Sequence, residues 1–553
     1  MQMKRYCSVG LAAVVFVAAT GCNKSEPAKP AASTDAGASK GAGLSRWHWL
    51  GKNRLAADTN AIQFLTLWNL PESVALETQT LDKLSLAPWR LLKGDTSTNV
   101  PPAKLLRPLL DDLVREESFV ELRAATNHSG ELALAIRLNR ERAALWETNL
   151  AVAMESLTGA SVVRTAGKYG WSLKSPEPPR LIELTQAGEW TLLGLTRETN
   201  SLLSGSLARI QREGAPFPAR STNYWFEGEF DLAAMSDALA LGGVLPADAP
   251  RISLTAIGDG KQILTRGEVK FPKPLPFEME SWNIPTNLIR EPLVSFTAVR
   301  GVAPWLSSGS AWPAAKVGPP PNQVYFWALD GFPLETYFAA PFTDASNRMA
   351  RLTELLTHEG NTRLASNSMG RIEHTEKPDG VVWKDAPFMS PFIQAVQLPG
   401  GGFVSGGFVA NTLTNHLPPT PLFQELRQRT NLVAYDWELT GPRVTAWVYL
   451  SQLLRLVNFK AQLAQKSAGL DWLQGAGSKL GNSVTAVTRT GPDQLSVVRK
   501  SDCGFTSVEL HLLADWLESP EFPRGMHTFL APTPAPFSRN PPKTPRPSVP
   551  PPH

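Results

Sequence analysis

The sequence predicts an α+β fold in which antiparallel sheets are built from β-hairpin-helix units. Three segments each contain two alternating apolar and polar runs, a tight turn between them and a following helix, over residues 119–157, 181–213 and 392–429. Strands joined by such short turns must pair antiparallel, and the helices must then cover a face of the sheet. A body of residues 46–530 also exceeds what one hydrophobic core usually supports, so we expect two domains.

The turns and helices of these units follow from local sequence. The turns fall at residues 127–130 (Asn-His-Ser-Gly), 187–188 (Ala-Gly) and 400–402 (Gly-Gly-Gly), which suit positive φ or side-chain-capped turns. The first helix is expected over residues 140–157. The most apolar segment after the N-terminal region, residues 443–459, contains two arginines and is too short for a bilayer, so we interpret it as a buried helix.

Two similarities suggest that the body consists of two related halves. Residues 60–71 align without gaps on residues 322–333, with four of twelve positions identical. Residues 226–230 resemble residues 435–439, and both follow a charged helix. Chance similarity between amphipathic strands is the alternative explanation. A proline-rich stretch lies between the halves, and we place the boundary at residue 290, giving domains over 46–290 and 291–530.

The N-terminus has the order of a secretory signal peptide. Lys4 and Arg5 precede an uncharged, mostly apolar run at residues 8–19, and small residues follow it. The run is too short to span a bilayer stably. Export from the cytoplasm is therefore expected.

Residues 19–22 (Ala-Thr-Gly-Cys) resemble the lipobox of bacterial lipoproteins. The resemblance covers residues 1–22 alone and implies cleavage before Cys22, which would carry diacylglycerol and a further acyl chain such as palmitate. Acyl chains buried in lipid would hold the protein on a membrane. The alternative is an ordinary signal peptide whose cysteine lies near the cleavage site by chance.

Both ends of the mature chain have compositions that cannot form a core. Residues 23–45 are mainly Ala, Ser, Gly, Pro and Lys, and we interpret them as a disordered tether. Residues 531–553 contain ten prolines and three basic residues, which indicates polyproline II or disorder. This tail is either an inert solvated segment or a docking segment for an aromatic groove or anionic envelope polymer.

The charge balance argues against nucleic-acid binding, and the cysteine content argues against an intrachain disulfide. Without the signal peptide, 52 Lys and Arg face 50 Asp and Glu, so the clustered positive charge needed for nucleic-acid binding is missing. Cys7 leaves with the signal peptide and Cys22 is lipidated, so Cys503 has no intrachain disulfide partner. Cys503 is either a reactive or intermolecular thiol or, as we favour, a small, partly buried residue.

No metal or cofactor site is expected from spacing. None of the eight histidines lies three or four residues from another, and no Cys-x-x-Cys occurs, although ligands from distant strands stay possible. The best enzymatic candidates are the carboxylates Glu227, Glu229 and Asp231, which alternate with phenylalanines in a predicted strand. Asp436 and Glu438 repeat this layout. They could serve glycoside cleavage or calcium binding, but the solvent face of a half-buried sheet alternates in the same way.

The sequence favours a noncatalytic lipoprotein of the cell envelope, in the periplasm or on the cell surface. Cys22 would attach it to the membrane, and the body would bind or scaffold an envelope protein or polysaccharide. The alternatives are a hydrolase of envelope or extracellular polysaccharide that uses the strand carboxylates, a lipid carrier, and a carbohydrate-binding protein. Seventeen tryptophans could stack on sugars if exposed, but core packing is the interpretation we favour.

Overall fold

A computed structural model describes most of the body of the chain. The described residues are 44–94, 100–123, 130–164, 169–176, 179–197, 199–218, 224–234, 248–276, 278–308, 312–313, 317–331, 335–365, 370–386, 389–409, 416–457, 467–519 and 522–523. The predicted signal peptide with Cys22, the predicted tether up to residue 43 and the predicted tail at 531–553 lie outside them. The expected end of the tether at residue 45 is wrong by two residues, because Ser45 is buried in the first strand and accepts a hydrogen bond from the Asp231 amide.

Within the described residues, twenty strands form one antiparallel sheet, which continues across the expected domain boundary at residue 290. They are β1 Leu44–Trp49, β2 Ser118–Arg123, β3 Glu131–Arg137, β4 Val163–Arg164, β5 Trp171–Pro176, β6 Pro179–Ala187, β7 Trp190–Thr196, β8 Phe226–Asp231, β9 Arg251–Gly258, β10 Ile263–Lys270, β11 Leu293–Arg300, β12 Gln323–Leu329, β13 Thr336–Phe342, β14 Arg371–Glu376, β15 Asp379–Lys384, β16 Phe392–Leu398, β17 Gly401–Gly407, β18 Leu432–Leu439, β19 Asn482–Gly491 and β20 Gln494–Ser501.

The strand order of the second half repeats that of the first. From one edge to the centre the order is β4, β5, β6, β7, β3, β2, β1, β8, β9, β10. From the other edge it is β14, β15, β16, β17, β13, β12, β11, β18, β19, β20. The two series meet where β10 pairs with β20. Strand β11 therefore occupies the position that β1 has in the first series, β12 that of β2, and so on up to β20 and β10.

One of the two sequence similarities does not match this order. Residues 60–71 contain a helix, Ile62–Trp68, whereas residues 322–333 contain β12, so the ungapped alignment joins elements of different type and is wrong. Residues 226–230 and 435–439, in contrast, lie in β8 and β18, which hold equivalent positions.

The described helices fill the connections between strands. They are α1 Lys52–Leu55, α2 Ile62–Trp68, α3 Pro71–Lys93, α4 Pro101–Arg115, α5 Arg140–Thr158, α6 Ser201–Glu213, α7 Ala303–Ser308, α8 Ala345–Leu355, α9 Asn361–Ala365, α10 Thr420–Gln428, α11 Thr440–Val457, α12 Ala468–Gly477 and α13 Ser507–Glu518. Their ends follow ordinary capping chemistry. Asn139 caps the start of α5, Gly159 ends it in the left-handed conformation, and Thr506 and Glu509 form a capping box at α13.

The helices cover both faces of the sheet. We call the front face the one on which α6 and α10 pack, with Leu203 of α6 against Leu192 and Phe423 of α10 against Phe296. On the back face, α3, α4 and α5 form the largest core of the first half with Ile136 and its neighbours. Helices α11, α12 and α13 cover the back face of the second half. They pack on one another through a shared core of buried apolar side chains that includes Val448.

Candidate functional site

Two of the three predicted carboxylates of β8, Glu229 and Asp231, are held in ion pairs and in strand-end contacts. Glu229 accepts two 3.0 Å hydrogen bonds from the Arg46 guanidinium of β1, on an exposed part of the front face. Asp231 accepts a 3.0 Å hydrogen bond from the Ala234 amide and pairs with Arg251 at 3.0 Å. These contacts fasten neighbouring strands to each other.

The carboxylates of β8 and β18 lie on opposite faces of the sheet, so they do not form one site. Residues directly opposite each other in antiparallel strands share a face of the sheet. Such opposite pairs connect Glu227 through Arg266 and Val498 to Tyr435, so Glu227 and Tyr435 lie on the same face. Asp436 is the next residue in β18 and therefore points to the back. Asp436 and Glu438 do repeat the alternation of carboxylate and aromatic side chains seen in β8, but their carboxylates lie on the opposite face of the sheet.

Asp436 and Glu438 belong to a polar cluster beneath α11 and α13. The Thr297 hydroxyl donates to Asp436 at 2.6 Å, and the amide and hydroxyl of Ser507, the first residue of α13, both donate to Glu438 at 2.6 Å. Arg499 is paired with Glu509 at 2.7 Å. We call Asp436, Glu438, Arg443, Arg499 and Glu509 the helix-covered cluster.

Burial dominates the electrostatics of the helix-covered cluster. Removal from water, together with the neighbouring Glu438 charge, raises the pKa of Asp436 to about 7. Burial also raises the pKa of Glu438 and lowers the pKa of the Arg443 guanidinium. Cys503 lies in the adjacent core, where burial raises the pKa of its thiol to about 12. A neutral thiol that contacts the Phe505 carbonyl oxygen at 3.8 Å supports the structural interpretation of Cys503.

A second polar cluster lies on the wall of a cavity of about 910 Å³ in the first half. The cavity, called the first cavity, lies where β1 and β3 end beside the turn between β6 and β7 and the last turns of α6. We call His48, Arg54, Glu117, Arg137 and Glu189 the cavity cluster. Phe217, Trp190 and Tyr224 supply aromatic side chains to the lining, and Gln211 of α6 lies at its exposed side.

Glu117 is the centre of the cavity cluster. Its side chain is 3% exposed, and it lies 2.9 Å from His48 Nε2, 2.6 Å from Arg54 Nη1 and 3.6 Å from Arg137 Nη1. Although burial opposes ionisation, the His48 hydrogen bond and the Arg54 charge hold the pKa of Glu117 below its usual value. Glu117 is therefore an ion whose two oxygens already have partners.

Local backbone geometry brings the members of the cavity cluster together. His48 lies in β1, and Glu117 directly precedes β2, which pairs with β1. Gly51 joins β1 to α1 with a φ of 90°, and a Cβ there would lie 2.6 Å from the Glu116 carbonyl carbon. Glycine thus permits the close approach that places Arg54 on Glu117. The Phe217 ring packs on His48 with centroids 4.2 Å apart.

A second cavity of about 770 Å³ occupies the equivalent corner of the second half. Its lining includes Gln323 at the start of β12, Phe342 at the end of β13 and Gly400 in the turn between β16 and β17. Gln323 accepts a hydrogen bond from the Asn283 amide. This lining combines prolines, backbone and carboxamides with Arg348, whose guanidinium is bound to Asp344 and to the Val317 carbonyl oxygen.

No family model, curated protein or solved structure matches this chain. Among the described residues, no group of three or more His, Cys, Asp or Glu side chains is arranged to hold a metal ion. No helix in the described ranges is long and apolar enough to cross a bilayer. All seventeen tryptophans lie in the described part of the chain, and none is exposed, so core packing describes them better than a sugar-stacking surface.

Sequence reasoning missed the cavity cluster. His48 and Glu117 lie 69 positions apart in the sequence, so no local motif links them. Their contact exists only because β1 pairs with β2. A histidine inside an apolar strand, Trp47-His48-Trp49, was the one available signal, since a buried imidazole requires a polar partner.

Proposed function

We propose that this chain is an exported lipoprotein of the cell envelope whose body binds a small polar ligand in the first cavity without transforming it. The observation that carries the proposal is the buried Glu117, with His48 and two arginines, on the wall of a cavity of about 910 Å³. Ligand sites commonly have volumes of about 300 to 1,000 Å³ and combine apolar surface with a few convergent polar groups.

Two features support binding over hydrolysis. A general acid needs a raised pKa, whereas the pKa of Glu117 is lowered and both its oxygens are engaged. The strand carboxylates considered for polysaccharide cleavage are divided between two faces of the sheet and do not converge on the first cavity. Buried charge at a cavity wall costs free energy that a purely structural wall would avoid, and ligand recognition is a reason for that cost.

Attachment to a membrane and an origin of the two halves by duplication are parts of the same proposal. Cys22 would carry the lipid, and residues 23–45 would hold the body away from the headgroups in the periplasm or at the cell surface. The ligand would come from the envelope. The matching strand orders of the two series support an origin of the body by duplication, with two domains fused into one sheet at β10 and β20.

The binding part is tested with the full-length lipidated protein in detergent. The protein is incubated with extract of native envelope, and retained small molecules are detected by native mass spectrometry. Gln211→Trp places an indole in the first cavity from an exposed helix position, and Gln211→Ala is the matched control. We expect retention by the natural protein and the alanine variant and loss in the tryptophan variant. Equal retention by both variants, or none by the natural protein, contradicts the proposal.

The anchoring part is tested by Cys22→Ser. We expect the natural protein to fractionate with membranes and to have an acylated N-terminus by mass spectrometry, and the variant to be released. Unchanged membrane partition of the variant contradicts lipid attachment at Cys22.

A further inference from the structure

We infer that the cavity cluster recognises an anionic group of the ligand, a carboxylate or a phosphate, and that Arg137 exchanges Glu189 for this group. The inference deepens the proposed function and rests on it. Its basis is the imbalance of charge around Glu117 and the different exposure of the two carboxylates that share Arg137.

The inner part of the cavity cluster holds more positive than negative charge. One buried carboxylate, Glu117, lies within 4 Å of two permanent cations and an imidazole. The second carboxylate, Glu189, is at the rim with its side chain 69% exposed, so water screens its charge. An anion that enters the first cavity meets the uncompensated guanidinium charge where the dielectric is lower than in bulk water.

Arg137 is the residue that can change partner. Its Nη1 faces Glu117, while its Nε donates to Glu189 at 2.8 Å and its Nη2 contacts the same oxygen. The Arg137 side chain is 47% exposed, and exposed ion pairs contribute little to stability because water screens them. A ligand carboxylate or phosphate can therefore replace Glu189 at low cost and accept the same two N–H groups in bidentate geometry.

The remaining lining fits the rest of such a ligand. Phe217 and Tyr224 provide ring surfaces, and Gln186 provides an amide group that can bind hydroxyls. A small polar body that carries one anionic group matches this combination. The second cavity lacks an equivalent, because its arginine, Arg348, is buried and bound to Asp344 and backbone carbonyl oxygens.

The test compares charged probes with their neutral counterparts by isothermal titration calorimetry at constant ionic strength. The probes are D-glucuronate against D-glucose, and glycerol 3-phosphate against glycerol, so that the two arms distinguish a carboxylate from a phosphate. We expect binding of at least one anion and none of its neutral counterpart. Gln211→Trp should abolish that binding.

Two substitutions of one ion pair have opposite expected effects. Arg137→Gln removes the recognising guanidinium and should weaken anion binding about tenfold or more. Glu189→Gln removes the competitor and should tighten binding by roughly twofold to fivefold. A merely structural Arg137–Glu189 pair would make both variants change binding in the same direction. Circular dichroism and thermal melting check that both variants fold.

Several outcomes overturn the inference. They are equal binding of anions and neutral counterparts, no binding of either anion, and weakening by Glu189→Gln as large as that by Arg137→Gln. If the envelope-derived ligand is still retained, and retained equally by Arg137→Gln, the anion inference fails while the binding function stands. If no envelope ligand is retained at all, the proposed function itself fails.

Discussion

The two halves of the molecule each contain a buried carboxylate with arginine side chains nearby, but only one of these clusters faces open space. In the cavity cluster the Arg54 and Arg137 side chains are 44% and 47% exposed. In the helix-covered cluster the Arg499 side chain is 11% exposed and Arg443 is buried. A buried acid therefore does not by itself indicate a ligand site. The exposure of its partners decides whether a ligand can reach the charges.

The pKa values of the buried acids in the two clusters shift in opposite directions because the charges next to them have opposite signs. Cations around Glu117 outweigh the cost of burial and lower its pKa. Asp436 has the Glu438 carboxylate as its neighbour, so burial and like charge act together and raise its pKa to about 7. Perturbed pKa values are often found at functional sites. Here the larger perturbation belongs to the cluster that α11 and α13 cover.

The largest expected effect separates the clusters by stability. Glu438→Ala removes the acceptor of two Ser507 hydrogen bonds and leaves the buried Arg443 without the larger of its two neighbouring negative charges, so the free energy of unfolding should fall by about 3 to 5 kcal/mol. Glu117→Ala leaves two half-exposed arginines that water can solvate and should cost about 1 to 2 kcal/mol. Urea unfolding measures both.

Acetate provides a control for this difference in access. The space left in Glu117→Ala joins the first cavity, so acetate should restore part of the lost stability relative to chloride at equal ionic strength. Glu438→Ala lies beneath helices and should not respond. If both variants lose the same free energy of unfolding and acetate restores the same part of it in each, the two clusters do not differ in accessibility.

The second effect is a pH dependence that belongs to Asp436. An aspartate has a pKa of about 3.9 in an unfolded chain and this one about 7 in the folded protein. Between these values the folded state holds a proton that the unfolded state has lost, so stability decreases as the pH rises. Asp436→Asn removes this decrease and should be more stable than the natural protein by about 2 to 4 kcal/mol at neutral pH, but nearly equal at about pH 4.

Asp259→Asn is the matched comparison for that experiment. The backbone amides of Gln262 and Lys261 lower the pKa of Asp259, so its ionised form stabilises the fold. The variant should therefore lose stability at neutral pH, opposite in sign to Asp436→Asn. The same sign for both variants would contradict the assignment of the pH dependence to Asp436.

The sequence predicted the mixed helix and strand composition and the antiparallel sheet, because turn chemistry and alternation are local. The strand expected after residues 127–130 is β3, and the buried helix expected over 443–459 corresponds to α11, which begins at Thr440. The alignment of residues 60–71 on residues 322–333 is wrong because their apolar positions fit both a strand and a helix period over so short a run. Ile62–Trp68 is helical and leads into the long helix that starts at Pro71.

The candidate site could not be predicted in the same way. Its charges come from β1, α1, the residue before β2, the end of β3 and a turn, and strand pairing alone brings them together. Glu229, one of the carboxylates that a local pattern did select, forms an ion pair on the sheet surface instead. Alternation within a strand shows which of its residues share a face. It does not show whether that face of the sheet is accessible, because the register of pairing with the intervening strands decides on which face a residue lies.

The smallest expected effect concerns Glu229, and it decides whether the open front face rather than the first cavity is the site. The Arg46 and Glu229 side chains are 38% and 53% exposed, so their pair should contribute less than about 1 kcal/mol. Glu229→Gln should therefore leave both the unfolding midpoint and the retention of envelope ligand nearly unchanged, in contrast to Gln211→Trp. Loss of ligand in Glu229→Gln, with stability intact, would move the binding site to the sheet face between α6 and α10, because only a direct contact with ligand would make so exposed a carboxylate important.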